Sequence, residues 1–419
     1  MLLNWKTLII AGLRGSTLFA KLLFTILLAR LLTVDEFGQW ILISAIVTYG
    51  IFVLGAELYN LILRNYISNG HEASVSQVSA QLTYFLILYC VIFLVCLVTY
   101  SIKTDGIYGY IIVVTFILIL EHLTHEFHRL AFFQDHQVHA NAILFLKSAG
   151  WMAPTGIYLI LVPSSASLSL VLKCWLAGAI VAACYALVTY RGIFAGVRPF
   201  YITSFIRKRK QLASMLAPFL IIAVALRTPL LLDRYLIERF FGPAQLGAYG
   251  YYATFGNGIQ AIFDAVILAR LTPQLIREKR MHAQQISIVG QFIKQAVLFW
   301  AISIVALYLT VPYLNQLVGK ASFDAAFAIM LILLTGQMIF SLASVLHYGL
   351  YSLHRDHQLA RGAVAYMAMA LAAFAVLIPQ FGSYGAAWAL AFSAIGLLII
   401  RARQLLQTDL GELDEPKSE

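Results

Sequence analysis

The sequence LARLLTVDEFGQW at residues 28–40 returns as IERFFGPAQLGAY at residues 237–249, and this repeated stretch decides the fold. The two stretches align at an arginine, a glycine and an aromatic residue, and each lies between two long apolar runs. A second echo, Asp-His-Gln, follows later in each half, at residues 135–137 and again at residues 356–358. The repetition indicates that the chain is built from two similar halves.

The composition predicts that most of the chain lies in lipid. Hydrophobic residues make up 61% of the chain and charged residues only 11%, with a mean hydropathy of +0.83. Each apolar run is close to the roughly 20 residues that a membrane-spanning helix needs, and none alternates as a barrel strand does. We therefore predict an all-α polytopic membrane protein with about twelve transmembrane helices. The predicted spans are 8–30, 39–63, 80–101, 107–131, 139–161, 168–189, 213–237, 248–273, 290–311, 323–346, 361–379 and 385–402.

The distribution of basic residues predicts the orientation. With a cytoplasmic N-terminus, the inner segments carry roughly 18 lysines and arginines and the outer segments about four, which satisfies the positive-inside rule. This bias places both termini in the cytoplasm and explains much of the formal net charge of +10 without a nucleic-acid partner. The predicted organisation is an N-terminal lobe (1–190), a basic cytoplasmic linker (191–212), a C-terminal lobe (213–403) and a cytoplasmic tail (404–419).

The number of spans between the repeats predicts how the lobes are related. Six spans separate them, and because six is even, the halves have the same orientation and a pseudo-twofold axis along the membrane normal. Parallel repeats are typical of transporters in which a cavity opens to either side in turn. The expected plan is a two-lobed transporter.

Four short segments resemble the polysaccharide flippases of the multidrug/oligosaccharidyl-lipid/polysaccharide (MOP) superfamily, the Wzx-type O-antigen exporters. They are LLARLLTVDEFGQW at 27–40, LDRYLIERFFGPAQLGAY at 232–249, LTPQLIRE at 271–278 and LIPQFGSYGAAWAL at 377–390. The family usually has Gly-Pro before the acidic pair of the first loop, whereas this chain has Thr33-Val34 there and keeps Gly-Pro only in the second half.

The resemblance implies a MATE-like MOP fold and a flippase in the bacterial inner membrane. Its substrate would be an undecaprenyl-pyrophosphate-linked oligosaccharide, such as an O-antigen repeat unit, moved from the cytoplasmic to the periplasmic leaflet by alternating access. Implied partners are membrane lipids, a polysaccharide polymerase and other assembly proteins.

Basic residues inside the predicted spans are the candidate substrate-binding groups. A charge near the bilayer centre costs roughly 2.5–3.5 kcal/mol on insertion scales, so such side chains are expected to face a wet cavity or a partner. Two pairs of basic residues are each separated by seven positions, which places both members of a pair on the same face of their helix. Two further lysines lie deep in spans 5 and 6. These candidates are Arg14 with Lys21, Arg227 with Arg234, Lys147 and Lys173. The alternatives for them are ion pairing, as for Arg234 with Asp233 or Glu238, and snorkelling to the interface.

Two acidic residues at similar positions in the two halves, Glu57 and Asp264, are candidates for coupling transport to H⁺ or Na⁺. The alternative is that they are counter-ions for neighbouring basic residues. His122 and His125 have a spacing that metal ligands can use, but without a zinc-binding motif we expect an interfacial polar cluster. We expect no metal, no cofactor and no catalytic residue.

Two other functions fit parts of the sequence. A MATE-like drug or cation antiporter would share the fold, but a mostly basic set of intramembrane charges favours a phosphate-bearing substrate. A membrane glycan polymerase or ligase, an enzyme, would need large outer loops for its catalytic site, whereas the predicted outer loops are short.

Overall fold

The computed structural model describes residues 5–55, 71–102, 106–133, 136–191, 209–277, 282–353 and 355–411. Most of the basic linker, Glu57 and residues 412–419 of the tail lie outside these ranges. Within them every regular element is helical, which confirms the predicted all-α class. The chain divides into two compact units, residues 1–220 and 221–419.

The N-terminal unit contains seven α-helices among its described residues. They are α1 (Trp5–Leu31), α2 (Val34–Gly55), α3 (His71–Ile102), α4 (Ile111–Phe133), α5 (Gln137–Phe145), α6 (Met152–Leu161) and α7 (Leu168–Thr189). A π-helical turn, Leu146–Gly150, joins α5 to α6, so that the two form one span. Short 3-10 turns, Gly106–Tyr110 and Pro163–Ser165, precede α4 and α7.

The C-terminal unit contains six α-helices among its described residues, two of them longer than 50 residues. They are α8 (Arg209–Phe263), which begins before the unit boundary, α9 (Ala269–Arg277), α10 (His282–Val318), α11 (Ala321–Ala325), α12 (Phe327–Ser352) and α13 (Asp356–Gly411). A second π-helical turn, Asp264–Leu268, joins α8 to α9.

The helix α8 is a hairpin of two arms. It bends at Gly242, where φ is +84° and ψ is 169°, a conformation that only glycine adopts without strain. The two arms lie against each other, as shown by the hydrogen bond that the Tyr249 hydroxyl of the second arm donates to Asp233 of the first. The hairpin covers the predicted spans 213–237 and 248–273.

The helix α13 is a second hairpin. Its bend is at Gly382, with φ of +56°, three residues after Pro379. A Cβ on Gly385 would lie 2.0 Å from the Leu377 carbonyl oxygen, and one on Gly396 would lie 2.5 Å from the Met369 sulfur. These contacts pair early with late residues, so the two arms are antiparallel and cover the predicted spans 361–379 and 385–402.

Nine helices among the described residues are long and apolar enough to cross a membrane. The α13 hairpin counts once among them, and the α8 hairpin, which carries several charges, is not among them. The figure of twelve spans and the pseudo-twofold axis stay predictions.

The start of α2 explains the departure from Gly-Pro in the first loop. Thr33 Oγ1 accepts a hydrogen bond from the Glu36 amide at 3.2 Å, and Glu36 Oε2 accepts one from the Thr33 amide at 3.3 Å. This reciprocal pair is a capping box, which satisfies amide groups at the helix start. Glu36 Oε1 also accepts a hydrogen bond from the Leu168 amide at 3.2 Å, and so ties the start of α2 to the start of α7.

Aromatic rings form the centre of the N-terminal unit. Trp151 stacks on Trp175 with ring centroids 6.1 Å apart, and Trp40 lies 5.2 Å from Trp175. Phe24 of α1 meets Trp151 edge-on at 5.1 Å. All four side chains are buried, so this aromatic core joins α1, α2, α7 and the segment after the π-helical turn.

Candidate functional site

A buried ion pair lies beside the aromatic core of the N-terminal unit. Glu121, on the inner face of α4, has its Oε2 atom 3.2 Å from Lys147 Nζ. Both side chains are less than 10% exposed, and Lys147 belongs to the π-helical turn. A π-helical turn inserts an extra residue into an α-helix, and such turns are frequent at functional sites. Here the turn presents Lys147 to α4.

Tryptophans complete the surroundings of this pair. The Trp175 indole Nε1 donates a hydrogen bond to Glu121 Oε1 at 2.9 Å, so both carboxylate oxygens have a partner. Trp151 Nε1 donates to the Lys147 carbonyl at 3.1 Å, which fixes the backbone of the turn. A buried carboxylate needs such partners, because an unpaired one is strongly destabilising.

Lys21 of α1 adds a second positive charge to the pair. It is exposed, and it interacts electrostatically with Lys147 and Glu121. No side chain in the described part of the chain forms an ion pair with it. Lys21, Lys147 and Glu121 are hereafter called the lysine cluster. The formal charges of the three side chains sum to +1, and Lys147 is the one that forms an ion pair with Glu121.

Arg14, seven residues before Lys21 on α1, has different partners. Its Nε donates a hydrogen bond to Asn141 Oδ1 of α5 at 2.9 Å, and its guanidinium lies over the Phe132 ring at 5.3 Å. These contacts hold Arg14 between α1, α4 and α5. They are not contacts of the lysine cluster.

The histidine segment of α4 is packed between helices. His122 is fully buried; its Nδ1 is hydrogen-bonded to the Tyr89 hydroxyl of α3, and its ring meets Phe85 edge-on. Glu126 accepts a hydrogen bond from Gln81 of α3 at 2.9 Å, and His128 is bonded to the Ala140 carbonyl of α5 at 2.8 Å. The interfacial position of the segment stays a prediction. No metal-binding group of His, Cys, Asp or Glu occurs among the described residues.

Lys173 stands apart from the lysine cluster. It is exposed near the start of α7, on the face that also carries the exposed Ala177, Ile180 and Cys184. Spacings of three and four residues put these side chains on one stripe that faces away from the core of the unit. A lysine on an apolar stripe near a helix end can extend its ammonium to the membrane interface.

In the C-terminal unit, Arg234 is paired with its neighbour Asp233. Its Nη1 lies 3.0 Å from Asp233 Oδ1 and also donates to the Leu230 carbonyl. Asp233 is fully buried and accepts the Tyr249 hydroxyl at 2.6 Å. Arg227, also on the first arm of α8, is half-buried, with its Nη1 3.5 Å from the Ala223 carbonyl. Arg234 is thus neutralised within its own hairpin.

Asp264 is the first residue of the second π-helical turn. It is exposed and accepts a hydrogen bond from Gln260 Nε2 at 2.8 Å. Gln260 Oε1 in turn accepts the Ser341 hydroxyl at 2.6 Å, so this acid is connected to α12 through an amide. Its proposed equivalent Glu57 lies outside the described residues.

A cavity of about 100 Å³ lies within the C-terminal unit, between the two arms of α8, α12 and α13. Its lining combines the Asp233–Arg234 pair with amide, tyrosine and apolar side chains. The residues are Leu230, Asp233, Arg234, Tyr249, Ala253, Asn257, Gln260, Leu333, Gly336, Gln337, Phe340, Tyr366, Ala387, Leu390 and Ala394.

Sequence reasoning missed most of this lining, although a signal was present. Tyr249, Ala253, Asn257, Gln260 and Asp264 recur at steps of four, four, three and four, which places them on one face of a helix. A polar stripe of this kind on an apolar span indicates a wet surface. The substrate-binding candidates from the sequence are all charged, whereas these side chains are mostly uncharged.

The fold is that of known MOP-superfamily transporters. The chain aligns with the lipid II flippase MurJ in an inward closed conformation at a TM-score of 0.75, with 11% identity over 97% of this chain and 91% of that one. An inward-facing MATE-family multidrug resistance transporter also gives a TM-score of 0.75, with 12% identity over 96% of both chains. A MOP-superfamily transporter from Pyrococcus furiosus gives 0.58, with 11% identity over 97% and 94%. No family model and no curated protein matches the sequence.

These likenesses confirm the predicted MATE-like MOP fold, and together with the nine apolar helices they make the chain a multi-pass membrane protein. At identities of 11–12% these likenesses establish the fold alone and not the substrate.

Proposed function

We propose that this protein is a flippase for an undecaprenyl-pyrophosphate-linked oligosaccharide, such as an O-antigen repeat unit. It would act in the bacterial inner membrane, with both termini in the cytoplasm, and carry the substrate to the periplasmic leaflet by alternating access. Coupling to H⁺ or Na⁺ would supply the driving force, with Asp264 and Glu57 as the candidate ion-binding residues.

The observation that carries this proposal is the charge of the lysine cluster. Lys21 and Lys147 face a single carboxylate, Glu121, inside a set of apolar helices. An unbalanced positive charge at membrane depth is costly, so its retention favours a negatively charged ligand. A pyrophosphate carries that charge, and lysine ammonium groups bind phosphate as compact point charges.

The individual candidates support the proposal to different degrees. Lys21 is exposed and makes no ion pair with a described side chain, so it is the best candidate for a phosphate contact. Arg227, half-buried on α8, is the corresponding candidate in the C-terminal unit. Lys147 and Arg234 each form an ion pair with a carboxylate, Glu121 and Asp233 respectively. They would therefore contribute to the electrostatic field at the substrate rather than bind a phosphate alone.

A MATE-like antiporter of drugs or cations is the alternative, and the shared fold supports it. Such a substrate would need an acidic site, because like charges repel. In the described ranges the buried acids Glu121 and Asp233 are each held by a basic residue, so neither is open to a cation, and the exposed Asp264 is the candidate for the coupling ion. We therefore favour the anionic lipid.

Transport by purified protein tests the proposal. Proteoliposomes would receive a fluorescent undecaprenyl-pyrophosphate oligosaccharide, and a membrane-impermeant quencher would report the fraction that reaches the outer leaflet. We expect wild-type protein to accelerate flipping, and Lys21→Gln to slow it about tenfold, the effect of losing ~1.4 kcal/mol of charge-assisted binding. Lys294→Gln removes an exposed lysine of α10 and is the matched control, with a rate within about twofold of wild type.

Two outcomes would contradict the proposal. Wild-type rates in the Lys21→Gln protein would exclude the lysine cluster as the phosphate site. Transport of an organic cation such as ethidium, without movement of the lipid, would favour the antiporter instead.

A further inference from the structure

The cavity of the C-terminal unit has a polar lining without free charge. Among the described residues that line it, the only charged ones are Asp233 and Arg234, which are bound to each other at 3.0 Å, and Tyr249 donates to the same carboxylate. Because the two charges balance, this pair attracts an ion less than an unpaired charge would. An occupant would meet mainly amides, hydroxyls and rings.

Two amide side chains form the accessible polar part of this cavity. Gln337 Nε2, on α12, donates a hydrogen bond to Asn257 Oδ1, on the second arm of α8, at 3.2 Å. Asn257 is exposed toward the cavity and keeps its own amide donors and one further lone pair on Oδ1. The Gln337 amide nitrogen keeps one further hydrogen. Gln260 is already occupied by Asp264 and Ser341.

The amide of Gln337 lies directly against the backbone of α8. A Cβ on Gly256 would lie 2.2 Å from Gln337 Oε1, so the glycine leaves the space that this amide occupies. The amide of Asn257 has a donor and an acceptor side by side, and a hydroxyl group can bond to both.

The remaining walls are aromatic and apolar. Tyr249, Phe340 and Tyr366 line the cavity with small alanines of α13 between them. Ligand pockets that combine apolar and aromatic walls with a few placed polar groups use the walls for contact area and the polar groups for orientation. A sugar ring has both properties, since it presents an apolar C–H face and a hydroxylated edge.

We propose that this cavity is the saccharide subsite of the flippase, which binds the hydroxylated, uncharged end of the substrate. This inference rests on the proposed function and adds a site for the sugar. At about 100 Å³ the cavity is somewhat smaller than a cavity of roughly 150 Å³ that holds one benzene molecule. The subsite therefore takes one edge of a single sugar ring and not a whole oligosaccharide.

Binding to purified protein in detergent micelles tests the subsite. The probes are undecaprenyl pyrophosphate without sugar and a panel of the same lipid carrying one neutral sugar: glucose, galactose, rhamnose, N-acetylglucosamine or N-acetylgalactosamine. We expect wild-type protein to bind at least one of the sugar-bearing lipids about tenfold more tightly than the sugarless lipid, as one buried hydrogen-bonded contact provides.

The variants Asn257→Leu and Gln337→Leu remove the amides at nearly constant volume. Each should reduce the preference for the sugar-bearing lipid over the sugarless lipid to less than about threefold. The affinity for the sugarless lipid should stay unchanged, and this also shows that the variant is folded. Thr335→Val is the matched control, because Thr335 lies on the same helix, is exposed and bonds only its own backbone at Leu331.

The outcomes separate the two proposals. If the lipids bind but no sugar improves binding, or if the preference survives in both amide variants, the saccharide subsite is wrong and the flippase proposal stands. If neither the sugarless nor the sugar-bearing lipids bind, the proposed function fails, and the subsite fails with it.

Discussion

Replacement of Lys147 by methionine would test whether this lysine is chiefly a partner for Glu121 or an open binding group. Methionine keeps the length of the side chain and removes its charge, so Glu121 would lose its ion pair and keep the Trp175 hydrogen bond and the electrostatic interaction with Lys21, which forms no ion pair with it. We expect a large loss in the free energy of unfolding, because a buried carboxylate without a counter-ion is poorly tolerated.

The size of this loss follows from the geometry. Two charges 3.2 Å apart attract each other by about 5 kcal/mol at an effective dielectric constant of ~20. Breaking buried pairs by removing one partner costs about 3–5 kcal/mol, which agrees with this figure. The double variant Glu121→Gln, Lys147→Met removes both charges and keeps an acceptor for Trp175. Its free energy of unfolding should lie within about 1 kcal/mol of wild type, since neutral replacement of a buried pair is often tolerated.

Denaturation in mixed detergent micelles, followed by tryptophan fluorescence, measures these free energies of unfolding. Lys294→Met makes the same change at an exposed lysine and should shift the value by less than about 0.5 kcal/mol. A loss below about 1 kcal/mol in Lys147→Met would refute the reasoning. So would a double variant as unstable as the single one, because the destabilisation would then not come from an uncompensated Glu121.

Three further variants can be measured by the same denaturation experiment, two that test packing and one that tests a hydrogen bond. Gly178→Ala should lower the free energy of unfolding by about 1–3 kcal/mol, because the new Cβ would lie 2.4 Å from Trp151 Cβ. Gly258→Ala, which meets nothing within 4 Å, should instead raise it by up to about 1 kcal/mol, and equal effects of the two changes would contradict this account. Tyr249→Phe removes the hydroxyl that donates to Asp233 at 2.6 Å and should lower the free energy of unfolding by about 1.5–3 kcal/mol. A loss below about 0.5 kcal/mol would mean that Arg234 alone satisfies this carboxylate.

Local features of the sequence predicted the fold well. Each span has to match the bilayer by itself, so about 20 apolar residues in a row reveal a helix without knowledge of its neighbours. The hairpin bends could also be placed, because Gly242 and Gly382 adopt positive φ values that other residues avoid. The capping box of Thr33 and Glu36 also follows a local sequence pattern, a threonine followed three residues later by a glutamate.

Contacts between distant residues were decided by the tertiary structure alone. The ion pair of Lys147 with Glu121 joins residues on different helices, and it depends on a π-helical turn that no sequence pattern predicted. The hydrogen bond between Asn257 and Gln337 also joins two helices, over a separation of 80 positions. Apolar length is read along one helix, whereas the neutralisation of a charge depends on which helix faces it. The sequence by itself therefore determined that basic groups lie inside the membrane helices, and only the packing of those helices decided which of them are balanced and which keep a charge for a substrate.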